Sequence, residues 1–241
     1  MKKIVLLASV LVALISCNSL EKDEYLITGT AKGIANGKKV LVQIQDENGI
    51  PKSIDTVTVK DGKFEIKGKT KEVTVAYVSF PDLKNDGFTV ILEPGEIDAE
   101  VYKDSIDKSK VTGTYNNDEL TKTLKITNKI DAEMQKIGME FQNKNMQRIQ
   151  QAQQTRDTAV MNQLNAEFLP ILKDKYKFYF DYIEKNPKSY LSLLYFNKLS
   201  PFATTEPDRI KKLFNNLDPS IKNSTIGKKL GEAINKMPSK K

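Results

Sequence analysis

Histidine and tryptophan are absent from this sequence, and cysteine occurs once. Without histidine, the chain lacks the commonest general base, the usual partner of a catalytic serine and the commonest transition-metal ligand. A single cysteine, Cys17, also excludes an internal disulfide and a Cys-X-X-Cys redox motif. The enzyme classes that remain would depend on paired carboxylates, on a serine–lysine pair or on an oxygen-liganded metal such as calcium.

Arginine is scarce as well, because lysine supplies nearly all of the positive charge and only Arg148, Arg156 and Arg209 occur. Proteins that read phosphates and bases favour the forked guanidinium group. The formal net charge is +7, in a chain that is 39% hydrophobic and 29% charged. We therefore expect an ordinary globular body that can bury a core, with no nucleic-acid partner and no bound cofactor.

The N-terminus has the pattern of a secretory signal. Lys2 and Lys3 precede an apolar run over residues 4–15, in which only Ser9 is polar. This run is shorter than the roughly 18 residues that a membrane-spanning helix needs. Residues 1–16 are therefore predicted to be a cleaved signal peptide.

The residues that end this signal resemble the lipobox of bacterial lipoproteins. Leu14, Ile15 and Ser16 stand directly before Cys17, the position at which such proteins receive a diacylglyceryl thioether. The resemblance implies lipid attachment at Cys17, a polar lipidated tether over residues 17–24, and a membrane partner reached through the lipid. We expect an outer-membrane lipoprotein facing the periplasm or the cell surface, and the sequence leaves the leaflet open.

Residues 25–115 are predicted to form an antiparallel β domain, either a sandwich or barrel-like. Short alternating segments are separated by turn dipeptides that tolerate positive φ. We expect Asp61-Gly62 to join two strands as a hairpin and Pro94-Gly95 to close the last hairpin. The predicted strands cover residues 25–31, 39–45, 54–59, 63–67, 73–80, 88–93 and 97–102.

Residues 116–241 are predicted to be all-helical and to contain a long helical arm. Apolar residues at helical spacing begin at Leu120, and Asn117 or Asp118 can cap the first helix. This periodicity does not decide whether residues 117–185 form one long helix or a hairpin. The predicted fold class is therefore α+β, with the β domain first and the helical region second.

Three segments resemble a family of domains of unknown function. They are DTVTVKDGKFEIKG at residues 55–68, GFTVILEPG at residues 87–95 and VTGT at residues 111–114. That family commonly forms the N-terminal part of Gram-negative envelope lipoproteins whose C-terminal part is a thioredoxin-like, peroxiredoxin-related thiol-disulfide oxidoreductase. Turn and core residues carry the likeness, so it implies a shared fold rather than a shared activity.

The chain departs from that family pattern, because it ends at Lys241 without a Cys-X-X-Cys. We therefore expect a non-catalytic binding or scaffolding module, with no catalytic residues. Two alternatives stay open. One is an accessory subunit of a separately encoded thioredoxin-like oxidoreductase in the envelope. The other is a hydrolase that uses the carboxylates of Glu93, Glu96 or Asp98.

Two further groups of side chains are candidates for binding. The carboxylates of Glu96, Asp98 and Glu100 alternate along one strand and could share a calcium ion, but we favour a solvated strand face and predict no metal site. Aromatic residues are dense near residue 180, and this density suggests a partner surface, with ordinary helix packing as the main alternative. The three residues assigned to that surface are Tyr176, Tyr179 and Tyr182.

Overall fold

A computed structural model describes residues 20–46, 49–83 and 87–238 of the chain. The predicted signal peptide, the lipobox residues Leu14, Ile15 and Ser16, and Cys17 lie outside these described residues. The strands are β1 Glu24–Thr30, β2 Lys39–Gln45, β3 Pro51–Thr58, β4 Lys63–Lys69, β5 Thr74–Ser79, β6 Gly87–Leu92, β7 Gly95–Glu100 and β8 Lys110–Thr112. The helices are α1 Tyr115–Lys144, α2 Met146–Thr155, α3 Thr158–Lys185, α4 Tyr190–Tyr195, α5 Pro207–Asn215, α6 Pro219–Lys222 and α7 Thr225–Asn235, with short 3-10 helices at Ile106–Lys108 and Phe196–Phe202.

The eight strands form two four-stranded sheets, with strand orders β4-β1-β7-β8 and β3-β2-β5-β6. Inward side chains of both sheets share one core, in which Ile27 and Ile97 from the first sheet meet Val42 and Val90 from the second. This core confirms the predicted fold class, a β-sandwich followed by a helical region. One pairing departs from the antiparallel expectation, because β1 and β7 are parallel.

The two predicted hairpins are wrong, although the turn at Asp61-Gly62 forms. Asp61 and Gly62 have φ of 50° and 69°, and Lys60 and Lys63 exchange two backbone hydrogen bonds across them. However, β3 pairs with β2, whereas β4 pairs with β1 in the other sheet. Gly95 likewise begins β7 in one sheet directly after β6 of the other. Both connections therefore carry the chain from sheet to sheet, since turn chemistry fixes a local reversal and not the partner of the strand that follows.

The helical arm is a hairpin, which decides between the two alternatives for residues 117–185. After α2 the chain turns at Arg156, which has φ 54°, and α3 runs back along α1. The Phe141 and Phe168 rings lie 4.7 Å apart, and Lys175 forms an ion pair with Glu133. No helix among residues 20–46, 49–83 and 87–238 is both long and apolar enough to cross a membrane.

Part of the predicted tether is folded against β4. Residues 21–24 form a turn in which the Glu24 backbone N–H donates to the Glu21 carbonyl over 3.0 Å. The Glu24 carboxylate lies 3.0 Å from the Lys67 ammonium group, and Glu21 forms an ion pair with Lys69. The Asp23 carbonyl accepts from the Thr70 backbone N–H over 2.9 Å. The described end of the 17–24 segment is therefore docked on the first sheet.

We predict that Gly29→Ala destabilises the sandwich, because a Cβ at residue 29 would lie 2.0 Å from the buried ring of Phe64. Overpacking of this kind costs about 1–3 kcal/mol. Gly37→Ala is the control, since a Cβ there meets nothing within 4 Å and only the backbone conformation, with φ 82°, is strained. Urea unfolding measures both variants, and a Gly29→Ala variant that is no less stable than Gly37→Ala would contradict this packing.

Candidate functional site

The three tyrosines predicted to form a partner surface are buried, and that prediction is corrected. The exposed fractions of Tyr176, Tyr179 and Tyr182 are 6%, 0% and 7%. The rings of Tyr179 and Tyr182 pack on Tyr195, with centroids 5.2 Å and 5.1 Å apart, and Tyr176 packs on Phe202 at 5.0 Å. The helices that follow α3 cover this face, so the dense aromatic run builds the helical core.

The hydroxyl groups of two of these tyrosines donate to carboxylates on α1. Tyr179 donates to Asp131 over 3.2 Å, and Tyr182 donates to Glu119 over 2.8 Å. Burial, together with the carboxylate, raises the pKa of both tyrosines far above the ordinary value. Burial alone would also raise the pKa of Glu119, but hydrogen bonds from Tyr182 and Lys122 outweigh it and hold this pKa below its usual range.

The carboxylates predicted as alternatives for catalysis or calcium binding lie in different environments. Glu93 is 8% exposed, whereas Glu96, Asp98 and Glu100 are exposed on β7. Both Glu93 oxygens accept hydrogen bonds from Asn116, from its backbone N–H over 2.7 Å and from its side-chain amide over 2.6 Å. Within the described part of the chain, no three histidine, cysteine or acidic side chains are grouped so that they could hold a metal ion. Glu93 thus binds the first turn of α1, where the helix dipole favours a negative charge.

A chain of buried hydrogen bonds continues from Glu93 into the helical region, and we call it the junction network. It consists of Glu93, Asn116, Ser189, Tyr182 and Glu119. The Asn116 side-chain oxygen accepts from the Tyr190 backbone N–H over 2.7 Å and from the Ser189 hydroxyl over 3.4 Å. The Ser189 and Tyr182 hydroxyls lie 3.1 Å apart. The network therefore links the end of β6 to the start of α4 and to α3.

Two side chains of α1, one turn apart, bind one edge strand of each sheet. The Asn117 side chain accepts from the Ile91 backbone N–H over 2.9 Å and donates to the Ile91 carbonyl over 2.7 Å. One turn later, the Thr121 hydroxyl does the same for Val111 in β8, accepting over 3.1 Å and donating over 2.6 Å. Because β6 and β8 are edge strands of different sheets, one face of α1 satisfies backbone groups that a missing strand would otherwise bind.

These contacts show that the predicted role of Asn117 as a helix cap is wrong. Helix α1 begins at Tyr115 after Thr114, so Asn117 lies inside its first turn, and the Asp118 side chain instead accepts from the Gly113 backbone N–H over 3.0 Å. Asn117 lies three residues before Leu120, on the face that the apolar stripe assigns to the core. A polar residue on that face was the available signal for the edge contact. Among the described residues, no buried side-chain nitrogen or oxygen lacks a partner, which is typical of a polar network that fixes one packing arrangement.

We predict that Asn117→Ala lowers the free energy of unfolding by about 2–6 kcal/mol, because it leaves the buried N–H and carbonyl of Ile91 unpaired at about 1–3 kcal/mol each. Asn128→Ala, at an exposed position of the same helix, should change it by no more than about 0.5 kcal/mol. Chemical denaturation measures both variants. Equal stability of the two would show that Asn117 does not hold the edge of β6.

We predict that the buried tyrosines of the helical core stay protonated at alkaline pH until the protein unfolds. Burial raises the pKa of Tyr176, Tyr179, Tyr182 and Tyr195, and it raises the pKa of Tyr190 to about 12. Because these folded-state values exceed the unfolded value of about 10, their contribution to stability is complete below that pH and is lost as the pH rises through the raised values. Tyrosine ring signals in nuclear magnetic resonance, followed with circular dichroism, report the titration. Ionisation of these five rings near pH 10 in a folded protein would contradict the burial.

Comparison with known proteins finds a family profile that is similar to the β domain. No curated protein matches the chain in a sequence search. Residues 25–120 match the profile of a family described as a domain of unknown function, DUF4369. The match spans the sandwich and the first turns of α1, so it includes Glu93, Asn116 and Asn117. Residues 25–120 of this chain are therefore similar to the DUF4369 family of domains of unknown function.

Proposed function

We propose that this protein is a lipid-anchored module of a bacterial cell envelope that binds or scaffolds other molecules without catalysis. The anchor is Cys17, which directly follows Leu14, Ile15 and Ser16. The outer membrane, facing the periplasm or the cell surface, is the proposed location. The observation that carries the non-catalytic role is the junction network, in which the buried polar groups bind one another and the backbone.

The geometry near the N-terminus supports an anchor held close to the folded body. Glu21 is already docked on β4 through Lys69. Only four residue steps separate Cys17 from Glu21, and an extended chain covers at most about 14 Å in that number of steps. A lipid on Cys17 would therefore hold the end of the first sheet near the membrane surface.

The state of the carboxylates supports a binding role over hydrolysis. A carboxylate pair that cleaves a glycosidic bond must have one acid and one base facing the substrate. Glu93 is buried, and both of its oxygens are hydrogen-bonded to Asn116. Glu96 and Asp98 lie on the exposed side of β7. The proposed role of Glu93 is therefore to hold α1 against the sandwich.

We predict that Cys17→Ala abolishes lipid attachment and membrane retention. The unsubstituted chain, expressed in a Gram-negative host, should incorporate a clickable fatty acid and should leave the membrane fraction only with detergent. Ser19→Ala is the control, because it changes a neighbouring residue outside the lipobox. Labelling of the Cys17→Ala variant, or release of the unsubstituted chain by salt alone, would contradict the anchor.

Crosslinking in intact cells tests the binding role separately. Capture of the tagged, lipidated chain should yield a defined envelope partner or a bound glycan or peptide. A single dominant partner with a Cys-X-X-Cys would favour the alternative proposal, an accessory subunit of a thioredoxin-like oxidoreductase. Reproducible turnover of a defined substrate by the purified chain would contradict a non-catalytic module.

A further inference from the structure

A groove of about 500 Å³ lies where the helical hairpin leaves the body. Met134 and Gly138 of α1 line it on one side, Phe168 and Leu172 of α3 line it on another, and Pro201 closes it. Small-molecule sites in proteins commonly measure about 300–1,000 Å³ and have mainly apolar walls. This groove has that size and that character, and it lies apart from the junction network.

One residue of the groove lining, Gly138, lies in the interior of the 30-residue helix α1. A Cβ at residue 138 would meet nothing within 4 Å, so packing does not require glycine there. Glycine in a helix interior costs about 1 kcal/mol relative to alanine. Glycine at residue 138 therefore lowers the stability of α1, and its effect in the structure is to leave the space beside the helix open.

A second residue that weakens helices lies in α3, two residues after Phe168, which lines the groove. Pro170 is inside α3, where it cannot donate a helical hydrogen bond. Gly138 lies between Glu133 and Phe141 in α1. Pro170 lies between Phe168 and Lys175 in α3. Across the hairpin, Phe141 contacts Phe168 and Glu133 contacts Lys175. Proteins tend to break local rules at functional sites. Here two such departures lie on the two paired helices of the hairpin, with Gly138 in the groove lining and Pro170 exposed outside it.

The lining of the groove defines the chemistry of a ligand. Among the described residues that line it, none carries a charged side chain, and the polar groups are those of Asn165, Thr204 and Tyr176. A charged ligand would lose its hydration there without a counter-charge, which is costly. An apolar ligand loses nothing of this kind and gains from leaving water.

We propose that this groove binds an uncharged, apolar small molecule, with Gly138 as the residue that makes room for it. This inference gives a ligand class to the binding role proposed above and rests on that role. Binding in the groove does not depend on the lipid. A groove that binds no probe and a Cys17 that carries no lipid are therefore separate results.

The test uses the chain from residue 17 with Cys17→Ala, so that neither lipid nor detergent competes for the probe. The probe is N-phenyl-1-naphthylamine, which is uncharged and fluoresces in apolar sites. Its anionic relative, 8-anilinonaphthalene-1-sulfonate, tests the exclusion of charge. We expect saturable binding of the uncharged probe at one site and weaker binding of the anionic one.

Gly138→Leu is the decisive variant, because its side chain has open space to enter and should fill the groove without unfolding the helix. We expect it to weaken binding of the uncharged probe by roughly tenfold or more, about 1.4 kcal/mol, while the melting temperature stays equal or rises. Asn128→Leu, which adds the same side chain at an exposed position of α1, should leave binding unchanged.

A second measurement keeps the test valid if Gly138→Leu folds poorly. The uncharged probe should shift the methyl resonances of Met134 and Leu172 in the unsubstituted chain. Absence of saturable binding, equal binding by both leucine variants, or shifts confined to residues outside the groove would overturn the proposal. Self-association that Gly138→Leu disrupts, seen by analytical ultracentrifugation, would also overturn it, because the occupant would then be a second copy of this chain.

Discussion

The pair of hydrogen bonds between the Asn117 amide and the backbone of Ile91 is the contact on which the rest of the structure depends. It places the first turn of α1 where the next strand of the second sheet would lie. From that position Thr121 reaches Val111 in the other sheet, and Asn116 reaches Glu93. One helical turn therefore closes the sandwich and joins it to the helices. Because buried edge groups without partners are costly, this contact also explains why the helical region lies beside β6.

Strand positions could be predicted from the sequence, but strand partners could not. The segment at residues 39–45 was predicted with the bounds of β2, and Asp61-Gly62 makes the expected tight turn. Alternation and turn residues are local signals, whereas the sheet that a strand joins depends on contacts distant in sequence. For this reason both expected hairpins proved to be crossings between sheets. Strand β8 was missed because its three residues are too few to show alternation.

The candidate site was less predictable than the fold, since its chemistry lies in amides and hydroxyls that serve the backbone. Sequence patterns directed attention to the carboxylates of β7 and to the tyrosines of α3. The tyrosines were misjudged because periodicity shows which residues share a face and not how many neighbours cover the helix. Asparagine near a helix start usually caps the helix, so the sequence pattern predicts a cap at Asn117. Its position on the apolar face of the helix indicates instead a contact with the core.

Native-state hydrogen exchange tests the central claim most directly, because it gives an opening free energy for individual amides. If the first turns of α1 hold the sheets and the helices in one cooperative unit, the amides of Ile91 in β6, Val111 in β8 and Tyr190 in α4 should open with the same free energy and respond equally to denaturant. An opening free energy for Ile91 or Val111 well below that of Tyr190 would contradict the account, since the sheet edges would then open while the helical core stays closed.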